Sequence, residues 1–520
     1  MENKVTQKVA KNSVLIMSCT FLSRLLGIIK ARAIATIFGA TGVADIINFT
    51  FNIPNNFRKL FAEGAMSSAY IPVFTAVITQ EHGDIRTSKK LLANMQAFQL
   101  SISLFLIVVT WLFREPLILF LSDFSSPSQV HLSSQLLVYF MIFLGAISLA
   151  ALYGGVLHSH GSFFTASAAP LLFSISVICS IYLTHKKLGA FSMALGVVVG
   201  GGVQAFVTWL RLRTFGYRLT LSWNFSNPDF KRVMRSWAPV TLTALSAIVA
   251  QQVAFFFASS LSEGSVTAFT NAIIIWQAPY GIFYAAIATV FFPAMVVAYY
   301  RREKKELGTL VSQGLTYIAT FLIPAAVTLV ILRNETTAVL LQSGRFTLAN
   351  SQETGAILFY FALGMPVVAW YSFLQRVCFS TGNYKTALGL GIFVTFVDIG
   401  CMWGALSLGF GSQALSIANT IAFSVGALIL WIVLLRTKQF TIEHRQLFRK
   451  MGKLLLVNIP LAVLALLYVR YSDPTWWHSG STIRNAAILA ALYSAAVGIT
   501  LVSYKIFGVD FIQAFLQKER

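Results

Sequence analysis

Apolar runs separated by short polar gaps organise nearly the whole chain. Stretches such as "FQLSISLFLIVVTWLF" (98–113), "MGKLLLVNIPLAVLALLYV" (451–469) and "AAILAALYSAAVGITLVSY" (486–504) approach the ~20 residues a helix needs to cross a hydrocarbon layer. Spans are expected near 12–38, 43–80, 91–113, 133–157, 164–183, 188–210, 236–261, 265–299, 309–331, 354–379, 384–407, 412–435, 451–470 and 484–507. Pro54 with Gly64, and Pro279, should interrupt the second and eighth of these. A membrane β-barrel would instead show ~10-residue segments of alternating polarity. The pattern therefore predicts an all-α polytopic membrane protein of about fourteen transmembrane helices. The Lys-rich start resembles a signal peptide, but its apolar segment runs on to residue 38 through Arg24, Lys30 and Arg32, so a retained first span is expected.

Composition agrees: 57% of the 520 residues are hydrophobic and 11% charged, against roughly a quarter charged in soluble domains. The formal charge of +21 raises the question of a nucleic-acid partner, which the placement of the charges answers. With the N-terminus inside, cytoplasmic gaps, adjoining span ends and tails carry 27 of the 39 Lys and Arg, including "RREKK" at 301–305 and Arg376; the opposite side carries seven. That asymmetry puts both termini in the cytoplasm and accounts for the basic excess through topology and attraction to membrane lipids, with no nucleic acid. Cys19, Cys179, Cys378 and Cys401 all lie in apolar sequence without a CxxC pair and are read as core residues, with neither disulfide nor metal site.

Five basic residues remain, all in the first two spans: Arg24, Lys30, Arg32, Arg58 and Lys59. A charge at mid-bilayer costs at least ~2.5 kcal/mol and faces a protein interior or wet cavity. Arg24 and Lys30, six apart, flank one wide helix face; Arg32, near the outer end, can equally snorkel to the interface. In "NNFRKLFAEGA" (55–65), Glu63 stands four residues after Lys59 and can simply neutralise it. Counting Asp45 and Glu63 against Arg24, Lys30, Arg58 and Lys59 leaves a surplus of two positive charges, which calls for an anion. Arginine's planar fork suits phosphate.

"FAEGAMSSAYIP" (61–72) has a faint counterpart in "FYAAIATVFFP" (283–293), each preceded by a proline, as in an internally duplicated transporter. "SRLLGIIKARAIATIFGATGVAD" (23–45), "PNNFRKLFAEGAMSSAYIPVF" (54–74), "GVLHSHGSFFTASAAPLLFSIS" (155–176), "GSVTAFTNAIIIWQAPYGIFYAAIATVFFP" (264–293) and "LLQSGRFT" (340–347) resemble the MviN/MurJ lipid II flippases of the multidrug/oligosaccharidyl-lipid/polysaccharide (MOP) exporter superfamily. The resemblance implies two pseudo-symmetric six-helix lobes, 1–220 and 221–440, and a C-terminal helix pair, 441–520, forming a groove for a polyprenyl tail. It also implies that Arg24, Lys30 and Arg58 are cavity bases and that Asp45, Asn55 and Glu63 are polar cavity positions, with Lys59 beside them. Two departures stand out: Ala31 replaces an acid after the base at 30, and Ile273 and Ile274 replace an Asp-Arg pair. Some members of the family bind sodium in the C-lobe; Asp398 is either the residue for that or a hydrogen-bonded structural carboxyl.

The implied activity is movement of lipid II, an undecaprenyl-diphosphate-linked disaccharide pentapeptide, from the cytoplasmic to the periplasmic leaflet of a bacterial inner membrane. It would be the work of a monomer with no cofactor beyond that ion and the membrane potential as driving force. A P-loop is absent; "GVVVGGGVQ" (196–204) lacks its lysine and reads as close helix packing. The alternatives are an exporter of another polyprenyl-linked oligosaccharide or of drugs, an intramembrane enzyme, and a scaffold for cell-wall enzymes. Drug exporters favour cations, which buried Arg and Lys repel; the histidines sit in loops or span ends without an HExxH motif; a scaffold needs no buried charge.

Overall fold

The computed structural model describes residues 2–61, 65–80, 85–437 and 439–509. Eighteen α-helices carry the described chain: α1 (Glu2–Phe38), α2 (Gly42–Phe61), α3 (Ala65–Gln80), α4 (Arg86–Leu112), α5 (Arg114–Leu121), α6 (Pro127–Ser159), α7 (Phe163–Leu188), α8 (Phe191–Arg213), α9 (Pro228–Ser259), α10 (Ser265–Tyr300), α11 (Lys304–Ile331), α12 (Arg333–Leu341), α13 (Leu348–Ser380), α14 (Tyr384–Ser407), α15 (Ala414–Arg436), α16 (His444–Val457), α17 (Ile459–Tyr471) and α18 (Ile483–Ile506). They form two compact units, Met1–Thr267 and Ala268–Arg520. Twelve of the described segments, counting α16–α17 as one, are long and apolar enough to cross a membrane. The charged α1 and the α2–α3 pair occupy the other two expected spans. Exposed apolar side chains such as Leu183, Phe396 and Leu456 suit a hydrocarbon surround, whereas in water they would be an aggregation hazard.

The same order of helices occurs once in each unit. From α4 to α8 the lengths are 27, 8, 33, 26 and 23 residues; from α11 to α15 they are 28, 9, 33, 24 and 23. In each set the last helix packs on both long helices before it, α8 on α6 and α7, α15 on α13 and α14. The duplication that was faint in the residues is plain in the helix lengths. Glycine permits the close approach of α8: a Cβ at Gly196 would lie 2.8 Å from the Val177 Cα, and one at Gly200 3.0 Å from the Phe173 carbonyl oxygen. The glycine run is therefore a packing stripe.

α2 runs through Pro54 to Phe61, and Gly64, which with it should interrupt the second span, lies outside the described residues. Three other sequence expectations are corrected. α10 is continuous across Pro279 and Pro293; proline's fixed φ is helical, and one missing donor is tolerated in a membrane helix. The thirteenth span is instead divided into α16 and α17. Pro460 removes a donor there, and just before it the Asn458 N–H turns to the Leu455 carbonyl at 3.3 Å while its Nδ2 takes over the Leu454 carbonyl at 2.7 Å. Among the cysteines, Cys19 and Cys378 are buried as expected, but Cys179 is exposed on α7 and Cys401 is half-buried, so these two are not core residues.

In the second unit the C-terminal helices dock on α11 and α12. Tyr504 donates to the Thr320 carbonyl at 2.7 Å, and Trp477 and Leu489 pack on Ala338 and Val339 with Tyr468 and Tyr493 alongside. Beside that contact Glu335 is buried, and its Oε2 has no hydrogen-bond partner. Burial lifts its carboxyl above the usual range, with a backbone hydrogen bond and Arg333 partly opposing. An acid whose folded pKa is raised favours the folded state below its unfolded pKa and loses that advantage as pH rises through the window between the two values. Glu335→Gln should therefore raise the thermal midpoint by a few degrees at pH 8 and by little at pH 5. A larger gain at pH 5 would contradict this reading.

Candidate functional site

The first unit gathers the basic residues that topology leaves over. α1 places Arg24 and Lys30, both half-buried, one to two turns apart. The Lys30 ammonium lies 5.0 Å from the ring centre of Phe51 on α2 and 5.7 Å from that of Phe173 on α7, a cation held between two aromatic faces. Arg58 of α2 is within electrostatic range of Lys30. Arg58 Nε donates to Asn55 Oδ1 at 3.0 Å, one helical turn back, which fixes how the guanidinium presents itself. Two cations on different helices thus stand near each other, and an anion placed between them would relieve their repulsion.

Lys59 turns elsewhere. Its ammonium donates to Asn56 Oδ1 at 2.9 Å and to Gln251 Oε1 of α9 at 2.8 Å, while Gln251 Nε2 reaches Asn52 Oδ1 at 3.5 Å. It is tied to α9 by neutral amides. Glu63, expected to pair with it, lies outside the described residues. Asp45, in the first turn of α2, is buried and accepts hydrogen bonds at both oxygens, Oδ2 from the Gly264 N–H at 2.7 Å, and Oδ1 from the Thr267 N–H at 2.8 Å and its hydroxyl at 2.6 Å. Asn48 Nδ2 adds a donor to Thr267 Oγ1 at 3.2 Å. Asp45 therefore caps the start of α10. Gly264, at φ 96°, sits so close that a Cβ would lie 2.9 Å from the Ala40 carbonyl oxygen.

Several polar contributors went unnoticed in the sequence. Gln251 and Gln252 form an amide pair inside the apolar α9, a visible signal. In the second unit Trp276, Tyr280 and Tyr284 recur at i, i+4 and i+8 on α10 and stack at 4.9 and 5.0 Å. Arg376 of α13 closes the ladder, its Nε donating to Tyr284 Oη at 3.1 Å, with Ser372 accepting from Tyr280 Oη at 3.0 Å. Arg376 had been counted as a topological charge, while Ile273 and Ile274 are half-buried apolar residues. Asp398 on α14 is buried with Oδ1 unpartnered. Among the described residues no group of three acidic, His or Cys side chains surrounds it. A single carboxylate of this kind does not fit a divalent metal wanting several acidic ligands.

Duplicated helix sets, with basic and polar side chains on two of the helices that precede the first of them, define a class, the polytopic α-helical membrane protein with an internal repeat. An inward-facing multidrug resistance MATE family transporter of the MOP superfamily shares the fold at 17% identity and TM-score 0.65, over 80% of this chain and 94% of that one. The structure described as lipid II flippase MurJ, inward closed conformation, matches at 21% identity and TM-score 0.77, over 97% and 100%. The family model for lipid II flippase MurJ matches residues 34–488, and the chain belongs to that family. Relatives named "Probable lipid II flippase MurJ" include one from Borreliella burgdorferi, 27% identical over 98% of this chain and 99% of its own length. Another, from Bdellovibrio bacteriovorus, is 27% identical over 82% of each.

Proposed function

We propose that this protein moves lipid II from the cytoplasmic to the periplasmic leaflet of a bacterial inner membrane, with its diphosphate held by Arg24, Lys30 and Arg58. The observation that carries this reading is the seating of the Lys30 ammonium on Phe51 of α2, the helix that also carries Arg58, inside a membrane-spanning bundle, in a chain of this family. A hydrated diphosphate and sugar would be stripped of water in hydrocarbon, and a wet cationic chamber lowers that barrier while the prenyl tail stays in lipid. Asn55 orients Arg58; Lys59 and Glu63 are proposed as further polar positions of the site.

Alternating access supplies the cycle. The proposed lobes are 1–220 and 221–440, with 441–520 as the tail-binding pair. The contacts of α2 with α9 and with the start of α10, through Lys59–Gln251 and Asp45–Thr267, would then be the latches that part. With both termini in the cytoplasm and the interior negative, export of each negative charge is favoured by about 2.3 kcal/mol per 100 mV. The protein works as a monomer and performs no covalent chemistry. A sodium ion at Asp398 would couple the C-lobe to the gradient. An exporter of cationic drugs would find these bases repulsive.

The test is complementation of a conditional lipid II flippase mutant, followed by flipping of a lipid-linked precursor in proteoliposomes with and without sodium. Growth and flipping are expected, with any sodium dependence lost in Asp398→Asn. Failure to complement by well-expressed, folded protein would refute the assignment.

A further inference from the structure

The second unit contains a cavity of about 460 Å³ at its basic end, where α10 ends and α11 begins, closed on one side by the segment after α15. Tyr299, Tyr300, Arg302, Lys304, Thr437 and Gln439 line it, with Glu303 as the one acid among the lining residues. Its volume is in the range of small-ligand sites. Its position at the ends of three membrane-spanning helices sets it at headgroup depth, and its tyrosines are the residues that settle there. The charge asymmetry of the sequence assigns this end to the cytoplasm.

The turn beneath it is unusual. α10 ends in a reverse turn in which the Glu303 N–H bonds the Ala298 carbonyl at 3.0 Å and the Arg302 N–H bonds that of Tyr299 at 2.9 Å. The residue at the position of Arg302 must be left-handed, and glycine or asparagine usually fills it. Here it is arginine at φ 61°, the one non-glycine with positive φ among the described residues. A cation anywhere in the last turn would satisfy the helix dipole without that conformation. Arg302 is thus held at this point at some cost to the backbone, and it lines the cavity.

The opposite wall is held in place. Thr441 N–H donates to the Lys304 carbonyl at 3.2 Å, and the backbone of Thr441 lies so close on Gly308 that no side chain fits between. Asn383 Nδ2 donates to Gln439 Oε1 at 2.8 Å, which fixes the amide and leaves its own NH₂ group to donate. Arginine fork, lysine ammonium and amide donor suit an oxyanion with several acceptor oxygens.

We propose that this cavity binds a phosphate group, that of an anionic phospholipid headgroup in the leaflet at this end, and that the bound lipid ties the α10–α11 turn to the segment after α15. The full-length protein in phosphatidylcholine nanodiscs, with and without phosphatidylglycerol, is the test system, with inorganic phosphate as the soluble probe. Co-purifying lipid is counted by mass spectrometry. Phosphatidylglycerol should be retained and raise the thermal midpoint. In Arg302→Gly with Lys304→Gln, retention should fall about tenfold, while the midpoint in phosphatidylcholine alone stays level or rises, because glycine suits the turn. Protection by inorganic phosphate without lipid retention assigns the same pocket to a soluble phosphate. Equal retention by wild type and variant, or no response to either probe, overturns the proposal.

Discussion

Arg58→Ala should abolish flipping and growth support while the protein still inserts and folds. The guanidinium is half-buried and its Nε bond goes to Asn55 on the same helix, so for that bond truncation leaves an amide oxygen to be hydrated in a polar chamber. That costs about 1 kcal/mol, small beside the stability of a packed bundle. It also removes repulsion on Lys30. The functional loss is of another size. A charge-assisted, two-point contact to a diphosphate is worth several kcal/mol in a partly desolvated site, so transport should drop at least ~100-fold. Arg58→Lys should recover only part of it, because an ammonium lacks the planar fork. Arg24→Ala should behave similarly. The assay is flipping in proteoliposomes normalised to reconstituted protein, with thermal midpoints as the folding control. Near wild-type flipping by the alanine variants would remove these bases from the pathway.

Much of the fold was legible because membrane helices announce themselves by length and apolarity. The segments placed near 309–331 and 384–407 match α11 and α14 closely. Punctuation was harder to read. Proline signals a break through its missing donor, yet α10 continues across two prolines while α16 and α17 divide at Asn458, whose side-chain amide takes the carbonyl its own N–H has left. Cys179 was assigned to the core because apolar sequence looks alike whether it faces protein or lipid; periodicity cannot separate the two when both faces are hydrophobic.

The candidate site divides the same way. An intramembrane charge is conspicuous in sequence, so Arg24, Lys30 and Arg58 could be picked out one by one. Which neutral groups meet them could not. Gln251 answers Lys59 from 192 positions away, and the groups bound by Asp45 are largely backbone, which carries no residue code. Arg376 was hidden by the topology rule itself, since a basic residue near a helix end satisfies that rule whether or not it also bonds Tyr284.

Asp45→Ala should give the largest stability loss of any single change in the first unit. The carboxylate is 4% exposed and accepts from two backbone N–H groups and a hydroxyl, so alanine strands three buried donors at once. At roughly 1–3 kcal/mol for each unsatisfied group, partly relieved by entering water, a loss on the order of 4 kcal/mol is expected. Asp45→Asn keeps one acceptor oxygen but turns an N–H₂ toward existing donors, and should fall between alanine and wild type. The damage should be local. Gly264 is pinned against Ala40 by the same contact, so hydrogen exchange should accelerate in 38–48 and 260–267 before it does elsewhere. If that contact is also the latch on one side of the transport cycle, the variant should favour the state open there, with faster exchange at those segments even well below its thermal midpoint. Unchanged exchange in both segments, with a midpoint close to wild type, would mean that Asp45 neither caps α10 nor holds a gate.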